Sequence, residues 1–131
     1  MNAASRYVVC EGREIHYMEW GAGNAETVIA WHGLARTGRD MDEIAAHLSS
    51  RFRVICPDTI GRGLSQWSPD PGKEYCLAFY GRLAVSLMDQ LGVSDAHWLG
   101  TSMGWRHSMC RPLTLPRVIT SRWRVARLLT G

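Results

Sequence analysis

The stretch Gly100-Thr101-Ser102-Met103-Gly104 directly follows an apolar run, residues 96–99 (AHWL), that is typical of the end of a buried strand. A serine with a glycine two residues away on each side lets the chain turn sharply from strand into helix, because only small residues fit around so tight a turn. Such a turn is strained and lifts the serine hydroxyl above the sheet. The spacing predicts a nucleophile elbow with Ser102 at its tip, flanked by Gly100 and Gly104. Taken alone, the same five residues could also form an ordinary turn.

The chain before this pentapeptide alternates between strand and helix patterns. Asp40 is the predicted N-cap of the first helix, and Gly92 is the predicted stop of the second. Strand, helix, strand, helix, strand is the alternation of a parallel sheet with crossover helices, so we predict an α/β fold with a mostly parallel sheet and helices on both faces. In chain order the predicted elements are a hairpin over residues 6–20, a strand at 27–31, a helix at 40–50, a strand at 52–56, a helix at 75–91 and the strand at 96–99.

The composition changes after the pentapeptide. All twelve acidic residues lie at or before Asp95, whereas the tail (residues 105–131) has none and carries six arginines. Pro112 and Pro116 would interrupt a helix that leaves the pentapeptide. The remaining apolar residues of the tail form no coherent core face, and no strand is predicted there. The sequence therefore divides into residues 1–104, the N-terminal portion of an α/β domain, and an arginine-rich tail that is not an independent domain.

Two interpretations of the tail are open. A shifted reading frame or a truncated gene product would explain the abrupt loss of acidic residues, and the DNA sequence near codon 105 would test it. An evolved basic tail would instead bind an acidic partner or nucleic acid, with Trp105 and Trp123 among its arginines. In the second case the chain would be a non-catalytic interaction fragment.

Cysteine and hydropathy patterns concern cofactors and location. The four cysteines form no C-x-x-C pair and no metal-ligand spacing with the five histidines, so we expect buried free thiols, no metal and no cofactor. The sequence shows no secretory signal pattern and no run of roughly 20 apolar residues that could span a bilayer. A reduced, cytoplasmic compartment without membrane attachment is the expected location. The cysteines are Cys10, Cys56, Cys76 and Cys110.

Two further motifs precede the pentapeptide. His32-Gly33-Leu34 follows the strand at 27–31, and Asp58-Thr59-Ile60-Gly61-Arg62-Gly63-Leu64-Ser65 follows the strand at 52–56 with the pattern D-x-x-G-x-G-x-S. In this order and spacing, the three motifs resemble those of the α/β-hydrolase family over about residues 6–104. The resemblance implies an incomplete α/β-hydrolase fold that lacks the C-terminal strands.

The resemblance also implies a chemistry. Ser102 would attack an acyl carbon of a small molecule, and the backbone N–H groups of Met103 and Leu34 would stabilise the oxyanion. His32 and Gly33 would shape this oxyanion loop, with His32 as a direct base the alternative. A serine in place of an aspartate disfavours the haloalkane dehalogenases and epoxide hydrolases, and it favours hydrolysis of an ester, thioester, lactone or carbon–carbon bond. Trp31, Leu34 and Trp67 could line an acyl pocket or belong to the core.

The rest of a catalytic triad is missing from the sequence. A serine needs a base and a group that orients the base, and the family places an acid and then a histidine after the serine. No acid follows Ser102, and His107, the only later histidine, lies on the helix that leaves the elbow and cannot reach the hydroxyl. Asp58 belongs to its loop rather than to the triad. We therefore expect little or no activity from this chain. Without a sixth strand, the strand at 96–100 would also have an unpaired edge through which the chain could self-associate.

Overall fold

The computed structural model describes residues 3–32, 37–100 and 119–124 of the chain. These residues form one six-stranded sheet, three α-helices and a short 3₁₀ helix, Gly38–Met41, that leads directly into the first α-helix. The strands are β1 (Ala4–Cys10), β2 (Arg13–Trp20), β3 (Thr27–Trp31), β4 (Arg53–Pro57), β5 (Asp95–Gly100) and β6 (Ile119–Arg124). The helices are α1 (Asp42–Leu48), α2 (Pro71–Glu74) and α3 (Leu77–Gln90).

The strand order of the sheet is β1-β2-β4-β3-β5-β6. Strands β4, β3 and β5 are parallel neighbours in the centre, while β2 pairs antiparallel with both β1 and β4, and β6 pairs antiparallel with β5. Four of the six strands therefore run in one direction and only β2 and β6 run in the other. The predicted α/β fold with a mostly parallel sheet is confirmed.

The β1–β2 hairpin forms where the sequence predicted it. Its turn residues, Glu11 and Gly12, have φ angles of 51° and 71°. Positive φ at both central residues is the requirement of the two-residue turn whose twist matches that of paired strands. The turn sets the hairpin register, in which Tyr7 lies opposite His16 and Ser5 opposite Met18.

Helices cover both faces of the sheet, as predicted. On one face α3 packs Leu83 and Leu87 against strand residues that include Trp31 and Trp98. On the other face the 3₁₀ helix and α1 contribute a smaller apolar cluster, which contains Met41 and Ala45 together with strand residues. The described part of the chain contains no helix long and apolar enough to cross a bilayer.

The helix boundaries differ from the predictions at their starts. Asp40 is not an N-cap: Met41 is the N-cap of α1, and Thr37 is that of the preceding 3₁₀ helix, where its backbone N–H donates to the Asp40 carboxylate at 3.2 Å. The error arises because the helical turn begins as a 3₁₀ helix ahead of the periodic apolar residues. In α3 the predicted end is confirmed, since Gly92 follows the helix with a φ of 69°.

The tail contains a strand that the sequence did not predict. Strand β6 pairs with β5 along its whole length, from Gly100 opposite Ile119 to Asp95 opposite Arg124. The expectation of an unpaired β5 edge is therefore wrong. The strand was not predicted because the tail has no apolar core face. Antiparallel pairing, however, requires only backbone N–H and C=O groups and residues that favour strands, such as Ile119, Thr120 and Trp123. Pro112 and Pro116, the predicted helix breakers, lie outside the described residues.

Candidate active site

The three sequence motifs begin at one edge of the sheet. Gly100, the last residue of β5, pairs with Trp31, the last residue of β3, so the two strands end side by side. The neighbouring parallel strand β4 ends at Pro57, directly before Asp58. His32, Asp58 and Gly100 thus lie at the carboxyl ends of three adjacent parallel strands, the edge at which open α/β sheets bind their ligands.

Most of the predicted catalytic groups fall outside the described residues. Ser102, Met103 and Gly104 of the elbow do so, as do Gly33 and Leu34 of the oxyanion loop. His107 of the tail also lies outside them. The structure describes the first residue of each of these two motifs, Gly100 at the end of β5 and His32 directly after β3.

His32 is completely buried, and hydrogen bonds occupy its Nε2 atom. The backbone N–H of Thr59 donates to this nitrogen at 2.9 Å, and Thr59 Oγ1 lies 3.0 Å from it. The indole N–H of Trp31 donates to the same Thr59 oxygen at 2.7 Å. Because Nε2 accepts from a group that can only donate, the neutral ring carries its proton on Nδ1. The imidazole joins the end of β3 to the loop after β4.

The predicted acyl-pocket residues have different environments. Trp31 is 1% exposed and stacks on Trp98 with ring centroids 5.7 Å apart and planes 15° from parallel, so its assignment to the core is confirmed. Trp67 is 76% exposed and belongs to neither the core nor an enclosed pocket. Leu34 lies outside the described residues.

The Asp58 loop (residues 58–65) is organised around its first side chain. Asp58 Oδ1 accepts the backbone N–H of Gly38 at 2.6 Å, and Oδ2 accepts the backbone N–H of Leu64 at 3.0 Å. The Ser65 hydroxyl donates to the Asp58 carbonyl at 2.7 Å. Gly63 has a φ of 53°, and a Cβ atom there would overlap the Asp58 carboxylate. The aspartate, the second glycine and the serine of the D-x-x-G-x-G-x-S pattern thus each have a contact that requires them.

A second group of polar side chains was missed by the sequence reasoning. His16 Nδ1 lies 2.8 Å from Asp58 Oδ2, and His16 Nε2 lies 2.6 Å from Ser5 Oγ. His16 and Asp58 are each 2% exposed, whereas Ser5 is exposed. The hairpin pattern contained the signal, because the register that places Tyr7 opposite His16 also places Ser5 on the same face. We call Ser5, His16 and Asp58 the Ser5 site.

Charged side chains on β2 form ion pairs with neighbouring elements. Glu19 on β2 accepts hydrogen bonds from both Arg6 and Arg53, each at 2.9 Å. Arg13 on β2 makes a two-bond contact with Glu74 of α2, at 2.9 and 2.7 Å. The bonds from Arg13, followed by the bond from the Ser68 hydroxyl, lower the pKa of Glu74 to about 2.

The described cysteines are free, as predicted, and two of the three are buried. Burial raises the pKa of the Cys10 thiol to about 11 and that of Cys56 to about 12, which keeps both protonated and unreactive at neutral pH. Cys76 is exposed, so the expectation of burial is wrong there. Cys110 lies outside the described residues. In the part of the chain that the structure describes, no group of three potential metal ligands occurs.

Comparison with known proteins gives a matching family model and curated relatives that are hydrolases. Residues 26–110 match the family model described as the alpha/beta hydrolase fold. A 3-hydroxybutyrate-oligomer hydrolase of Cupriavidus necator is 44% identical over 89 residues, which cover 67% of this chain and 30% of the relative. A 2-hydroxy-6-oxononadienedioate/2-hydroxy-6-oxononatrienedioate hydrolase of Burkholderia vietnamiensis is 32% identical over 126 residues, which cover 88% of this chain and 42% of the relative. The chain spans less than half the length of both curated relatives.

Solved structures give the same fold. An alpha/beta hydrolase from Novosphingobium aromaticivorans is 28% identical with a TM-score of 0.73, and the match covers 82% of this chain and 38% of that one. An epoxide hydrolase from Vigna radiata is 23% identical with a TM-score of 0.75, and the match covers 81% of this chain and 34% of that one. The second likeness is one of fold alone.

Proposed function

The chain belongs to the α/β-hydrolase fold family, and we propose that Ser102 is the nucleophile of a serine hydrolase acting on an ester-like bond of a small molecule. The observation that carries the proposal is the pairing of Trp31 with Gly100. This register brings the strand before the oxyanion loop and the strand before the elbow to the same sheet edge. A nucleophile and its oxyanion donors have to meet within about 3 Å of the same reacting atom, and neighbouring strand ends make such a meeting possible.

The backbone N–H groups of Met103 and Leu34 are the proposed oxyanion donors. His32 and Gly38, on either side of the proposed oxyanion loop, are buried and hydrogen-bonded. Before it, His32 is bonded to the backbone of Thr59, and after it, the Gly38 N–H is bonded to the Asp58 carboxylate. Loss of one oxyanion donor slows acyl transfer by roughly 100- to 1000-fold, so fixing the loop backbone matters as much as the serine. The bonded Nε2 of His32 supports a positioning role rather than a role as the base.

The proposed substrate class is a carboxylic ester, such as that of a short hydroxy acid oligomer. It is supported by the 44% identity with the 3-hydroxybutyrate-oligomer hydrolase of Cupriavidus necator. Thioesters, lactones and carbon–carbon bonds are the alternatives, since the hydrolase of Burkholderia vietnamiensis acts on a different compound. We further propose that residues 1–104 carry this function and that it operates in the cytoplasm.

The 131-residue chain by itself is proposed to have little or no activity. No acid follows Ser102 in the sequence, and His107 is the only later histidine. A positioned general base contributes roughly 100- to 10,000-fold to such a reaction. Without one, the serine hydroxyl would remain protonated during attack, and esters would be hydrolysed near the background rate.

Chemical rescue tests both parts of this proposal. Hydrolysis of p-nitrophenyl butyrate by the purified chain is measured with and without added imidazole, beside Ser102→Ala. We expect near-background rates without imidazole for both proteins. With imidazole, the unmodified chain should gain more than Ser102→Ala, because a diffusible base recovers part of the missing rate. Equal gains would reject Ser102 as nucleophile. A robust rate without imidazole that Ser102→Ala abolishes would reject the missing base.

The alternative function is a non-catalytic fragment whose basic tail binds an acidic partner or nucleic acid. The pairing of β6 with β5 favours giving the tail some role, because it joins part of the tail to the sheet. Heparin and duplex DNA binding would be measured across salt concentrations for the full chain and for a variant lacking residues 105–131. Binding that falls steeply with salt and is lost on deletion would support this alternative. Absence of binding at physiological salt would reject it.

A further inference from the structure

The Ser5 site is a row of three hydrogen-bonded side chains that the proposed Ser102 chemistry does not use. His16 lies between the other two, with Nδ1 2.8 Å from Asp58 Oδ2 and Nε2 2.6 Å from Ser5 Oγ. An ionised carboxylate has no proton to donate, so Nδ1–H donates to Asp58. In the neutral ring Nε2 is then an acceptor, and it faces the Ser5 hydroxyl. This is the connectivity by which a base, oriented by a carboxylate, activates a serine.

The backbone on both sides fixes the base and its carboxylate. The His16 N–H donates to Ser65 Oγ at 2.8 Å, and the His16 carbonyl accepts the Asp58 N–H at 2.8 Å. The Tyr7 ring packs against the imidazole, with centroids 5.0 Å apart. Asp58 also accepts two backbone N–H groups, as described above. A carboxylate and an imidazole held this firmly lose little entropy when they act, which is the advantage of preorganised catalytic groups.

Ser5 differs from its partners in being accessible. It lies on β1, the outer strand of the sheet next to β2, and its side chain is exposed whereas His16 and Asp58 are buried. A small reagent can therefore reach the hydroxyl from solvent while the base stays shielded.

We propose that the Ser5 site is a second reactive-serine site, at which Ser5 is acylated or phosphonylated by small activated esters and fluorophosphonates. With an aryl ester, Ser5 Oγ forms a bond to the acyl carbon and the bond from that carbon to the aryl oxygen breaks. The Ser5 proton passes to His16 Nε2 and from there to the departing aryl oxide. With a fluorophosphonate, an Oγ–P bond forms, the P–F bond breaks and fluoride leaves, while the proton reaches solvent through His16.

The expected product is a stable adduct rather than rapid turnover. Ser5 lies within a strand, whereas oxyanion holes are built from convergent backbone N–H groups at tight turns or helix starts. The adduct is therefore formed with help from the base but hydrolysed slowly. It follows that labelling of this chain by a serine-directed probe does not by itself report on Ser102.

The experiment labels Ser102→Ala with a fluorophosphonate and follows each serine by peptide mass spectrometry. Ser50, an exposed serine in the turn after α1, is the internal reference. If the base acts, Ser5 should be modified roughly 100-fold faster than Ser50 or more, the lower end of what a positioned base contributes. Equal rates at the two serines would overturn the proposal.

Two variants assign the effect. Ser5→Ala should remove the adduct from its peptide and keep a cooperative thermal melt, at a lower midpoint because the buried Nε2 of His16 loses its hydrogen-bond partner. His16→Gln should lower Ser5 labelling to the Ser50 rate, and unchanged labelling in a folded His16→Gln protein would also overturn the proposal. If His16→Gln does not fold, the ratio of Ser5 to Ser50 labelling in Ser102→Ala alone tests the proposal: a roughly 100-fold ratio supports it and equal rates reject it. The Ser102 proposal fails independently, because its readout is the imidazole effect on ester hydrolysis.

Discussion

Ser102 and Ser5 differ in the kind of groups found next to them. Ser102 lies in a pentapeptide that predicts a sharp turn and an oxyanion donor next to it, but no acid follows it in the sequence. Ser5 has a histidine and an aspartate in a hydrogen-bonded row, but it lies within a strand. In the proposed roles, the Ser102 region would stabilise negative charge without a base, and the Ser5 site would supply a base without that stabilisation.

The difference shows that the two components have separate structural origins. An elbow and its oxyanion donors come from local backbone geometry at the end of a strand. The Ser5 site instead combines three separate segments, β1, β2 and the Asp58 loop, which the pairing of β1 with β2 and of β2 with β4 brings together. Asp58 connects the two regions, because one carboxylate oxygen contacts His16 and the other accepts the N–H of Gly38, which follows the proposed oxyanion loop in the sequence.

The largest expected effect is that of Asp58→Ala. The substitution leaves two backbone N–H groups, of Gly38 and Leu64, and the His16 Nδ1–H without their acceptor. Removing the charged partner of buried groups costs roughly 3–5 kcal/mol, a large share of the stability of a small domain. Urea denaturation would measure it. The matched control is Asp89→Ala, an exposed aspartate near the end of α3, for which we expect a change within about 0.5 kcal/mol. Equal effects of the two variants would show that Asp58 does not organise the loop.

The second expected effect concerns the β5 edge. Consecutive N–H groups of a strand point to opposite sides, so one of those at Thr120 and Ser121 faces β5. The double variant Thr120→Pro/Ser121→Pro removes that donor and should expose the β5 edge. We expect concentration-dependent self-association in light scattering. The control, Thr120→Ala/Ser121→Ala, keeps both N–H groups and should stay unchanged. A proline variant with the control's mass and melt would mean that β6 does not protect the edge.

Particular residues show why the sequence predicted the central strands and the hairpin but not the Ser5 site or strand β6. The apolar runs at 27–31 and 52–56 predicted central strands, because strands buried on both faces need continuous apolar sequence. Glu11-Gly12 predicted the hairpin because a turn signal between two short strand patterns can also be recognised from neighbouring residues alone. The contact of His16 with Asp58 could not be predicted, since it depends on the β2–β4 register as well as on the loop. Strand β6 was missed because its pairing requires backbone groups rather than an apolar pattern.

A smaller effect is expected from Gly63→Ala. The left-handed φ of 53° disfavours any side chain, and the added Cβ would displace the Asp58 carboxylate. We expect a loss of roughly 1–3 kcal/mol, with Ser5 labelling reduced in parallel. The matched control is Gly81→Ala within α3, where a Cβ meets nothing within 4 Å. That variant should gain about 0.5–1 kcal/mol from helix propensity. A Gly63→Ala protein as stable as the unmodified chain would show that the loop has other favourable conformations.

The smallest expected effect is a pH dependence at the Arg13–Glu74 pair, which joins the hairpin carrying His16 to α2. The bonds from Arg13 and Ser68 lower the pKa of Glu74 from 4.5 to about 2 in the folded chain. A carboxyl group with a lowered folded pKa stabilises the fold above its unfolded pKa, and that stabilisation is lost as pH falls between about 4.5 and 2. Because the pair bridges β2 and α2, amide exchange in β2 should rise more than exchange in β5 over this range. Glu74→Gln should make the exchange of β2 less dependent on pH in this window while leaving β5 unaffected. If the unmodified chain and Glu74→Gln gave the same pH profile in β2, the pair would not stabilise the hairpin. The scaffold of the Ser5 site would then be independent of α2.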